Sequence, residues 1–379
     1  MRDIYFDNAA TTKTDPAVAR AAYDMMVSNY GNPSSLHGKG LSAHSAVQGA
    51  RESVARLMGA AADKVVFTSG GTQANNLAVI GGAMAMRRRG DTILISAFEH
   101  ASVAAPAAYL EKNGFTVRRV APMPDGTMDV GQLAAAVDEK TVLVSCMLCN
   151  SETGALTPID ELVPMIRRLN GTCLIHSDAV QAFGKLPISV KKLGVDLLTV
   201  SAHKIHAPKG CGALYMRKGA RVLPLEYGGS QEKGLSPGTE STALIAAFGK
   251  AADLAGQNMA DNHGKVAALC EYFVNKARST AGLCMNSPPD ATPYIRNISV
   301  PGYRSETMLH HLEAGGVYVS SGSACSKGAK SPVLTAMGLA PQLVDSALRV
   351  SFCRDNTEED VDVFFEVLGD GMQKLVRSK

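Results

Sequence analysis

The sequence predicts an α/β protein whose main sheet is mostly parallel, joined to a smaller α+β domain. From about residue 65 to about residue 200, apolar runs rich in β-branched residues alternate with stretches of helical spacing. That alternation is typical of parallel strands connected by helices. After about residue 245 the pattern changes to a long helical region followed by short strands and helices. With 379 residues, the chain suits a large domain plus a smaller one better than a single core.

We therefore divide the chain into three parts. Residues 1–15 are expected to be an extended segment that packs with the small domain. Residues 16–245 are expected to form the large domain, and residues 246–379 the small one. The sequence shows neither an internal repeat nor a low-complexity linker, so the two domains are expected to pack closely.

The elements follow from apolar periodicity and from helix start signals. Asp15-Pro16 predicts a helix start, because Asp caps helices and Pro fits their first turn. A second amphipathic helix is predicted from about Ser42 to Met58. The predicted strands lie at 65–68, 92–96, 116–120, 141–146, 172–176, 197–200, 213–216, 295–300, 317–319 and 348–352. The other predicted helices lie at 77–86, 102–113, 130–137, 159–169, 306–313 and 332–337, within 245–280, and after Thr357.

Composition argues against several classes of protein. The net charge is only +3, and Arg87-Arg88-Arg89 is a short basic run, so nucleic acid is not the expected partner. No apolar run approaches the roughly 18 residues of a membrane helix, and the first residues lack the apolar core of a signal peptide. The eight cysteines are scattered, which favours reduced thiols over a disulfide framework. We expect a cytoplasmic protein.

Polar residues cluster where predicted strands end. Ligands of open α/β sheets bind at the carboxyl ends of the strands, so these clusters predict one site. The clusters are Ser69 to Asn76, Glu99-His100, Asn150-Ser151-Glu152, Asp178 with Gln181, and Ser201 to Lys204.

Lys204 is the candidate on which the chemical prediction depends. A lysine placed at a strand end, just after Ser201 and His203, can hold its amine in a desolvated pocket, where a lowered pKa suits Schiff-base chemistry. The alternative is an ordinary surface lysine near a turn. The glycine pair Gly70-Gly71 before Thr72 likewise suits either a phosphate at a helix N-terminus or a merely tight turn.

An aspartate and a lysine at neighbouring strand ends are what pyridoxal 5′-phosphate requires, because the lysine binds the aldehyde and the aspartate keeps the pyridine nitrogen protonated. Asp178 and Lys204 stand in that relation. Taken singly, Asp178 could cap a helix, His100 could be a satisfied loop histidine, and Thr72 could begin a helix. Taken together, these residues describe one site.

The sequence resembles cysteine desulfurases of the NifS/IscS type, in class V of the aminotransferase superfamily, over essentially the whole chain. The segments that carry this resemblance are 7–12 (Asp-Asn-Ala-Ala-Thr-Thr), 31–35 (Gly-Asn-Pro-Ser-Ser), His100, 150–154 (Asn-Ser-Glu-Thr-Gly), 176–181 (His-Ser-Asp-Ala-Val-Gln), 201–204 (Ser-Ala-His-Lys), 238–240 (Gly-Thr-Glu) and 320–325 (Ser-Ser-Gly-Ser-Ala-Cys). The resemblance implies fold type I of pyridoxal phosphate enzymes and a homodimer with sites at its interface. It also implies that L-cysteine and a thiol acceptor give L-alanine and a persulfide.

The resemblance further implies a role for each matching residue. Lys204 would hold the cofactor, Asp178 would pair with the pyridinium nitrogen, and Gln181 would bond the ring oxygen. His100 would stack on the ring and help proton transfer, and Arg349 would clamp the substrate carboxylate. The phosphate would be bound by Gly71, Thr72, Ser201 and His203, with Thr239 reaching across from the other subunit. Asn150 is the nearest candidate for a further bond to the ring and to the substrate.

Cys325 is predicted to be the catalytic cysteine of the small domain. Residues 320–330 are small, polar and glycine-bearing, which favours an exposed loop from which a thiolate attacks the substrate sulfur and carries the persulfide away. Cys146 and Cys149 form a C-x-x-C, but residues three apart on a strand face opposite ways and no second pair lies nearby. We interpret them as structural and predict no metal site.

Three departures from the family pattern and several alternatives remain. The family commonly has Glu at the position of Gln73, a second Asn at Ser151, and an arginine within Ser236-Pro237. The same resemblance leaves a selenocysteine lyase or another class V enzyme open. A phosphate- or nucleotide-binding protein without catalysis, or a persulfide donor docked to a scaffold, is a further alternative. The sulfur acceptor could be an iron–sulfur scaffold, a tRNA-thiolation enzyme or a cofactor pathway.

Overall fold

A computed structural model of the chain describes residues 3–321 and 330–377. Its strands are β1 (Ile4–Tyr5), β2 (Val65–Thr68), β3 (Thr92–Ser96), β4 (Thr116–Val120), β5 (Thr141–Ser145), β6 (Leu174–Asp178), β7 (Leu197–Ser201), β8 (Gly212–Met216), β9 (Cys284–Met285), β10 (Ile295–Ser299), β11 (Val317–Tyr318), β12 (Ser320–Ser321) and β13 (Ala347–Ser351). Its helices are α1 (Pro16–Val27), α2 (Gly38–Leu57), α3 (Gly71–Asn76), α4 (Gly82–Met86), α5 (Ala101–Lys112), α6 (Val130–Ala135), α7 (Ile159–Leu169), α8 (Val190–Leu193), α9 (Thr242–Gln257), α10 (Met259–Ser279), α11 (Ser305–Ala314), α12 (Pro332–Ala336), α13 (Pro341–Asp345) and α14 (Glu358–Lys374).

The larger sheet has seven strands in the order β2-β8-β7-β6-β5-β3-β4. Only β8 runs against the others, since it is antiparallel to both of its neighbours. Strands β2, β3, β5, β6 and β7 are buried along their whole length, as expected of a sheet covered by helices on both faces. This confirms the predicted α/β fold with its mostly parallel sheet.

A second sheet of four strands, in the order β12-β13-β10-β9, is antiparallel. Its core contains Phe273 of α10, Phe352 beyond β13 and Phe364 of α14. The ring of Phe273 lies 5.3 Å from that of Phe352 and 5.5 Å from that of Phe364, centroid to centroid. These aromatic contacts join the long helices to the sheet and give residues 266–368 a core of their own.

The N-terminal segment belongs to this second core through Ile4, Phe6 and Ala9. Strand β1 pairs in parallel with β11, and the Phe6 ring lies 5.5 Å from that of Phe352. The segment then continues from the small-domain core toward the edge of the larger sheet.

The predicted domain boundary at residues 245 and 246 falls inside α9. That helix packs against α1 and α2, and its buried Ile245, Phe248 and Ala251 belong to the core of the larger sheet. The first core therefore extends to about the end of α9, and the three-part division itself stays a prediction.

Most predicted helices appear with shifted ends. Asp15 caps α1 by accepting from the Ala17 amide at 2.8 Å. Helix α2 begins at Gly38, earlier than predicted, because the His37 side chain caps it. The helical region predicted over 245–280 is two helices, since the backbone leaves helical geometry at Asn258. Within the described ranges, no helix is both long enough and apolar enough to cross a bilayer.

A buried ion pair fixes the irregular segment that precedes α9. Arg51 of α2 donates two hydrogen bonds to Glu232, at 2.7 and 2.6 Å, and the two side chains are 12% and 3% exposed. Glu232 also accepts from the Phe67 amide of β2 at 2.7 Å. The pair thus ties residues 231–234 to the start of the strand that leads into Gly70-Gly71.

We expect Arg51→Met to lower the free energy of unfolding by about 3 kcal/mol, because it leaves a buried carboxylate without its cation. Urea denaturation at fixed protein concentration measures this. The matched control is Arg56→Met on the same helix, whose ion pair with Asp253 is 71% and 35% exposed and should change stability by less than about 1 kcal/mol. Equal losses for the two variants would contradict this interpretation.

Candidate active site

The predicted polar clusters come together at one edge of the larger sheet. Strands β2, β3, β5, β6 and β7 run in the same direction, so their carboxyl ends lie along that edge. Gly212 of β8 pairs with Thr68 on one side and Ser201 on the other. A Cβ on Gly212 would lie 2.6 Å from the Gly70 carbonyl carbon, so glycine is required where the ends of β2 and β7 approach.

Lys204 follows β7 in a short turn, Ala202–Lys204. Its Nζ donates to the carbonyl oxygens of Ala9 and Ala10, both at 2.6 Å. Desolvation, together with the positive charges of Lys185 and Arg349, lowers the pKa of Lys204 to about 7. A large fraction of the amine is therefore unprotonated at neutral pH, as a nucleophilic lysine requires.

Asp178 ends β6 and is buried. Its Oδ1 accepts from the Val180 amide at 2.9 Å, and its Oδ2 accepts from Asn75 Nδ2 at 2.7 Å. Asn75 is buried on α3. The carboxylate is thus held by donors from two elements, with a fixed orientation at the strand end.

His100 caps α5, where its Nδ1 lies 3.1 Å from the Ser102 amide and 2.7 Å from Ser102 Oγ. The residue is exposed, although the protein around the ring desolvates it. This desolvation lowers the pKa of His100, the charges of Lys204 and Arg349 lower it further, and Asp178 opposes them. His100 therefore lies close enough to Lys204 and Asp178 for their charges to act on its ring.

Glu99, the neighbour of His100, points into the protein instead. It accepts from the Met147 amide at 2.7 Å and from the Ser96 hydroxyl. Burial raises the pKa of Glu99 to about 8, so the carboxyl is largely protonated at neutral pH. Its role is to join the ends of β3 and β5.

The predicted phosphate residues form a cradle on the β2 and β7 side of the edge. A Cβ on Gly71 would lie 3.1 Å from Val180 Cγ2 and 3.5 Å from Ser201 Cβ. Ser201 Oγ is buried and has no hydrogen-bond partner among the described residues. Thr72 follows Gly71 at the start of α3 and is exposed.

The other two predicted phosphate residues differ from one another. His203 bonds Thr11 through Nδ1 and Oγ1, 3.1 Å apart, and desolvation lowers the pKa of His203 to about 4, so its ring is neutral. Thr239 lies on an exposed segment. Its predicted contribution to the site of a second subunit stays a prediction.

Gln181 is buried close to Lys204, since both side chains donate to the Ala9 carbonyl. Its Nε2 donates to the Ala9 carbonyl at 2.8 Å, and its Oε1 accepts from Lys185 Nζ at 3.3 Å. Lys185 is buried above the Tyr294 ring, 5.6 Å from the centroid. Desolvation lowers the pKa of Lys185 to about 8. Lys185 and Lys204 both line a small cavity of about 40 Å³.

Arg349 lies on β13 of the second sheet and reaches into the cleft between the sheets. Its Nη2 donates to Asp7 Oδ1 at 2.7 Å, and its Nη1 donates to the Ser151 carbonyl at 3.0 Å. Within the described part of the chain, its buried Nε has no acceptor. A buried guanidinium with a free donor is suited to an anionic ligand.

The prediction for Asn150 does not fit the structure. Its side chain is buried in its own loop, where Oδ1 accepts from the amides of Glu152 and Thr153, both at 2.9 Å. Its Nδ2 donates to the Phe98 carbonyl at 3.1 Å. Both ends of the amide are occupied, so Asn150 shapes the loop and lacks a free group for the predicted bonds to cofactor and substrate.

Of the seven described cysteines, five are buried and two, Cys284 and Cys353, are half-buried. Cys146 and Cys149 are buried, and burial raises the pKa of both thiols, that of Cys149 to about 12. This favours their structural interpretation, and the described residues contain no cluster suited to a metal ion. Cys325 lies outside the described residues, so its predicted role rests on the sequence.

Two of the departures from the family pattern meet in space. Ser236 Oγ donates to Gln73 Oε1 at 3.5 Å, and Gln73 Oε1 also accepts from the Ser69 amide at 2.8 Å. A neutral contact therefore joins the segment before Thr239 to the glycine turn.

Two residues of this site were missed by sequence reasoning. Asn75 lies within a quoted polar cluster, but nothing in the sequence pairs it with Asp178, which is 103 residues away. Lys185 follows Gln181 by four positions. This four-residue spacing could have indicated that Lys185 contacts Gln181.

Comparisons with known proteins agree with this geometry. The family model described as Aminotransferase class-V matches residues 4–364. The chain is 38% identical over 378 residues to cysteine desulfurase IscS of Dictyoglomus turgidum, covering 99% of this chain and 95% of that protein. A solved NifS-like protein superposes with a TM-score of 0.93 at 34% identity, covering 99% of this chain and 100% of the other. A structure of SspA in complex with cysteine superposes with a TM-score of 0.82 at 29% identity, covering 93% and 100%.

We expect Lys185→Met to raise the pKa of Lys204, because it removes a nearby positive charge from a desolvated site. The measurement is the pH dependence of acetylation of the Lys204 peptide in cofactor-free protein, followed by mass spectrometry. Lys192→Met, at an exposed position on α8, is the control and should leave the profile unchanged. An unshifted profile for Lys185→Met would show that Lys185 does not set the basicity of Lys204.

Proposed function

The chain belongs to the class V aminotransferase family, and from this membership we propose that it is a cysteine desulfurase dependent on pyridoxal 5′-phosphate. The proposed reaction converts L-cysteine and an enzyme thiol into L-alanine and an enzyme persulfide. The observation that carries the proposal is the desolvated Lys204 amine in the same cleft as Asp178, in a chain related over 99% of its length to a cysteine desulfurase.

The residues present fit this cofactor. The partnerless Ser201 hydroxyl beside Gly71 offers a donor to a phosphate group, and the N-terminal amides of a helix follow directly. Backbone N–H groups at a helix N-terminus favour bound anions. Gly71, Thr72, Ser201 and His203 would hold the phosphate, and Lys204 would hold the aldehyde carbon.

When bound, pyridoxal phosphate supplies an electron-accepting ring that withdraws electrons from the substrate. Asp178, fixed by Asn75 and Val180, would keep a proton on the ring nitrogen. Gln181 would donate to the ring oxygen with the amide that now meets Ala9. Lys204 would carry a proton from the α-carbon of the substrate, since its pKa near 7 permits both acceptance and release.

Arg349 and Cys325 would act on the substrate itself. The free Nε of Arg349 would donate to the substrate carboxylate, on the side of the cleft formed by the second sheet. The thiol of Cys325 would take the substrate sulfur, giving Cys–S–SH on the enzyme and leaving alanine after a proton returns to carbon. The persulfide would pass to a sulfur-acceptor protein, for iron–sulfur cluster assembly or another thio-cofactor.

We further propose a homodimer in the cytoplasm. Several large apolar side chains are exposed near the N-terminal helices and the segment before α9, which supports a subunit interface there. They include Tyr30, Leu36, Leu41 and Tyr227, at 67, 104, 64 and 87% exposure. The seven described cysteines are free thiols, which is consistent with a reducing compartment.

Cys325→Ala is expected to reduce alanine formation from L-cysteine to background, because no nucleophile then accepts the sulfur. Uptake of pyridoxal phosphate, followed by its visible absorbance, should persist. Alanine and sulfide are quantified with a thiol reductant present, and the persulfide is located by mass spectrometry in a separate reaction without reductant, which would cleave it. Cys284→Ala, at a half-buried free thiol on β9, is the control. If Cys325→Ala formed alanine from L-cysteine at the wild-type rate, the proposed role of Cys325 would be wrong.

Arg349→Lys is expected to raise KM for L-cysteine roughly 10- to 100-fold, because a lysine cannot replace a charged hydrogen bond worth about 1.5–3 kcal/mol from a planar guanidinium. Steady-state kinetics of alanine production test this. Arg304→Lys, at a 71% exposed side chain, should behave as wild type. An unchanged KM for Arg349→Lys would remove Arg349 from the substrate site.

A further inference from the structure

We infer that a directed chain of hydrogen bonds from Asp178 through Asn75 and Ser102 fixes His100 as the tautomer with its proton on Nε2. Asn75 and Ser102 are then positioning residues that act through His100. The tautomer follows from the geometry alone, and its meaning for catalysis rests on the proposed function.

The first step is the orientation of the Asn75 amide. Its Nδ2 lies 2.7 Å from Asp178 Oδ2 and 2.8 Å from Ser102 Oγ. As a carboxylate, Asp178 offers only acceptors, so the NH₂ end of the amide must face it. Both hydrogens of the amide are then used, one toward Asp178 and one toward Ser102. Asn75 Oδ1 is buried without a partner among the residues described, which marks the amide as held by its two donated bonds.

The second step is the direction of the Ser102 hydroxyl. Because Ser102 Oγ accepts a hydrogen from Asn75, its own hydrogen is free to point to His100 Nδ1, 2.7 Å away. The backbone N–H of Ser102 also donates to that nitrogen, at 3.1 Å. Backbone N–H cannot act as an acceptor, so a proton on Nδ1 would face the hydrogen of the Ser102 amide, and the Ser102 hydroxyl would have to turn its own hydrogen away from Nδ1.

The neutral ring therefore carries its proton on Nε2. Two hydrogen bonds of about 1 kcal/mol each favour this tautomer by roughly 10- to 100-fold. The charged groups that act on the ring are Asp178, which favours the imidazolium, and Lys204 and Arg349, which oppose it together with desolvation. The ring is thus kept neutral, and the chain selects which neutral form is present.

The consequence concerns the hydrogen bond that His100 offers. With Nδ1 held by Ser102, the other ring nitrogen, Nε2, presents an N–H and not a lone pair. His100 therefore offers a hydrogen-bond donor at Nε2 and keeps that proton, because the ring is already neutral, whereas Lys204, with its pKa near 7, remains the base. The same carboxylate that would pair with the cofactor ring nitrogen sets the state of the imidazole through Asn75 and Ser102.

The test is nuclear magnetic resonance of cofactor-loaded protein labelled with ¹⁵N-histidine. Two-bond ¹H–¹⁵N correlations distinguish protonated from bare ring nitrogens, and a His100→Gln sample assigns the His100 signals among the nine histidines. Wild type should show a protonated Nε2 and a bare Nδ1. Ser102→Ala, which loses one of two donors worth about 1 kcal/mol each, should reduce the preference roughly fivefold, and Ser102→Thr should restore it.

Asn75→Asp reverses the chain, since the new carboxyl shares a proton with Asp178 and its other oxygen accepts from Ser102, which leaves Ser102 Oγ to accept from Nδ1–H. It should shift the proton toward Nδ1. If this variant does not fold, Ser102→Ala still decides the matter. Ser53→Ala, which removes a buried helix hydroxyl bonded to the Gly49 carbonyl, is the control and should give the wild-type spectrum.

A wild-type proton on Nδ1, or a wild-type tautomer ratio in Ser102→Ala, would overturn the inference. The measurement does not depend on turnover of cysteine. A protein with the expected tautomer that fails to convert cysteine would contradict the proposed function and leave the hydrogen-bond chain standing. A protein that converts cysteine but lacks the expected tautomer would contradict the hydrogen-bond chain and leave the proposed function standing.

Discussion

The contact of the Lys204 amine with the carbonyl oxygens of Ala9 and Ala10 is the constraint on which the site depends. The N-terminal segment that supplies these carbonyls is anchored in the second core by β1 and Phe6. It also holds Arg349 through Asp7. The N-terminal segment therefore connects the lysine that follows the larger sheet to the arginine of the smaller one.

The electrostatics of the cleft follow from the same arrangement. Lys204, Lys185 and Arg349 bring three basic groups into a largely desolvated space. The charges of Lys185 and Arg349 lower the pKa of Lys204, and the charge of Arg349 also lowers the pKa of Lys185. The excess of positive charge suits anions such as a phosphate and a substrate carboxylate. The lowered pKa of Lys204 is a consequence of this crowding, so nucleophilicity and anion binding have one physical origin.

Much of this could be predicted from sequence because strand ends are marked locally. The apolar runs before Ser69, Asp178 and Ser201 predict parallel strands, and parallel strands place their carboxyl ends at the same edge of a sheet. Contacts between distant segments were not predictable in this way. The partner of Asp178 is an asparagine on α3, and the pairing of β1 with β11 joins residues 313 positions apart in sequence (317 − 4). Local periodicity carries no information about either.

Asn150 shows why residue type at the right position is insufficient. The sequence places it at a strand end, but its amide satisfies the backbone of its own turn, a competition common for asparagine in loops. Gln73 and Ser236 show the opposite case. Their separate departures from the family pattern are one local change, visible only because the fold brings them together.

The account rests most directly on Lys204 as the residue that holds the cofactor, with Lys185 as its buried neighbour. The decisive measurement is to load the protein with pyridoxal 5′-phosphate, reduce it with borohydride and locate the adduct by peptide mass spectrometry. We expect the adduct on Lys204 alone, because its amine has the lower pKa and stands beside Asp178 in the cleft. An adduct on Lys185, or a protein that takes up none, would contradict the account.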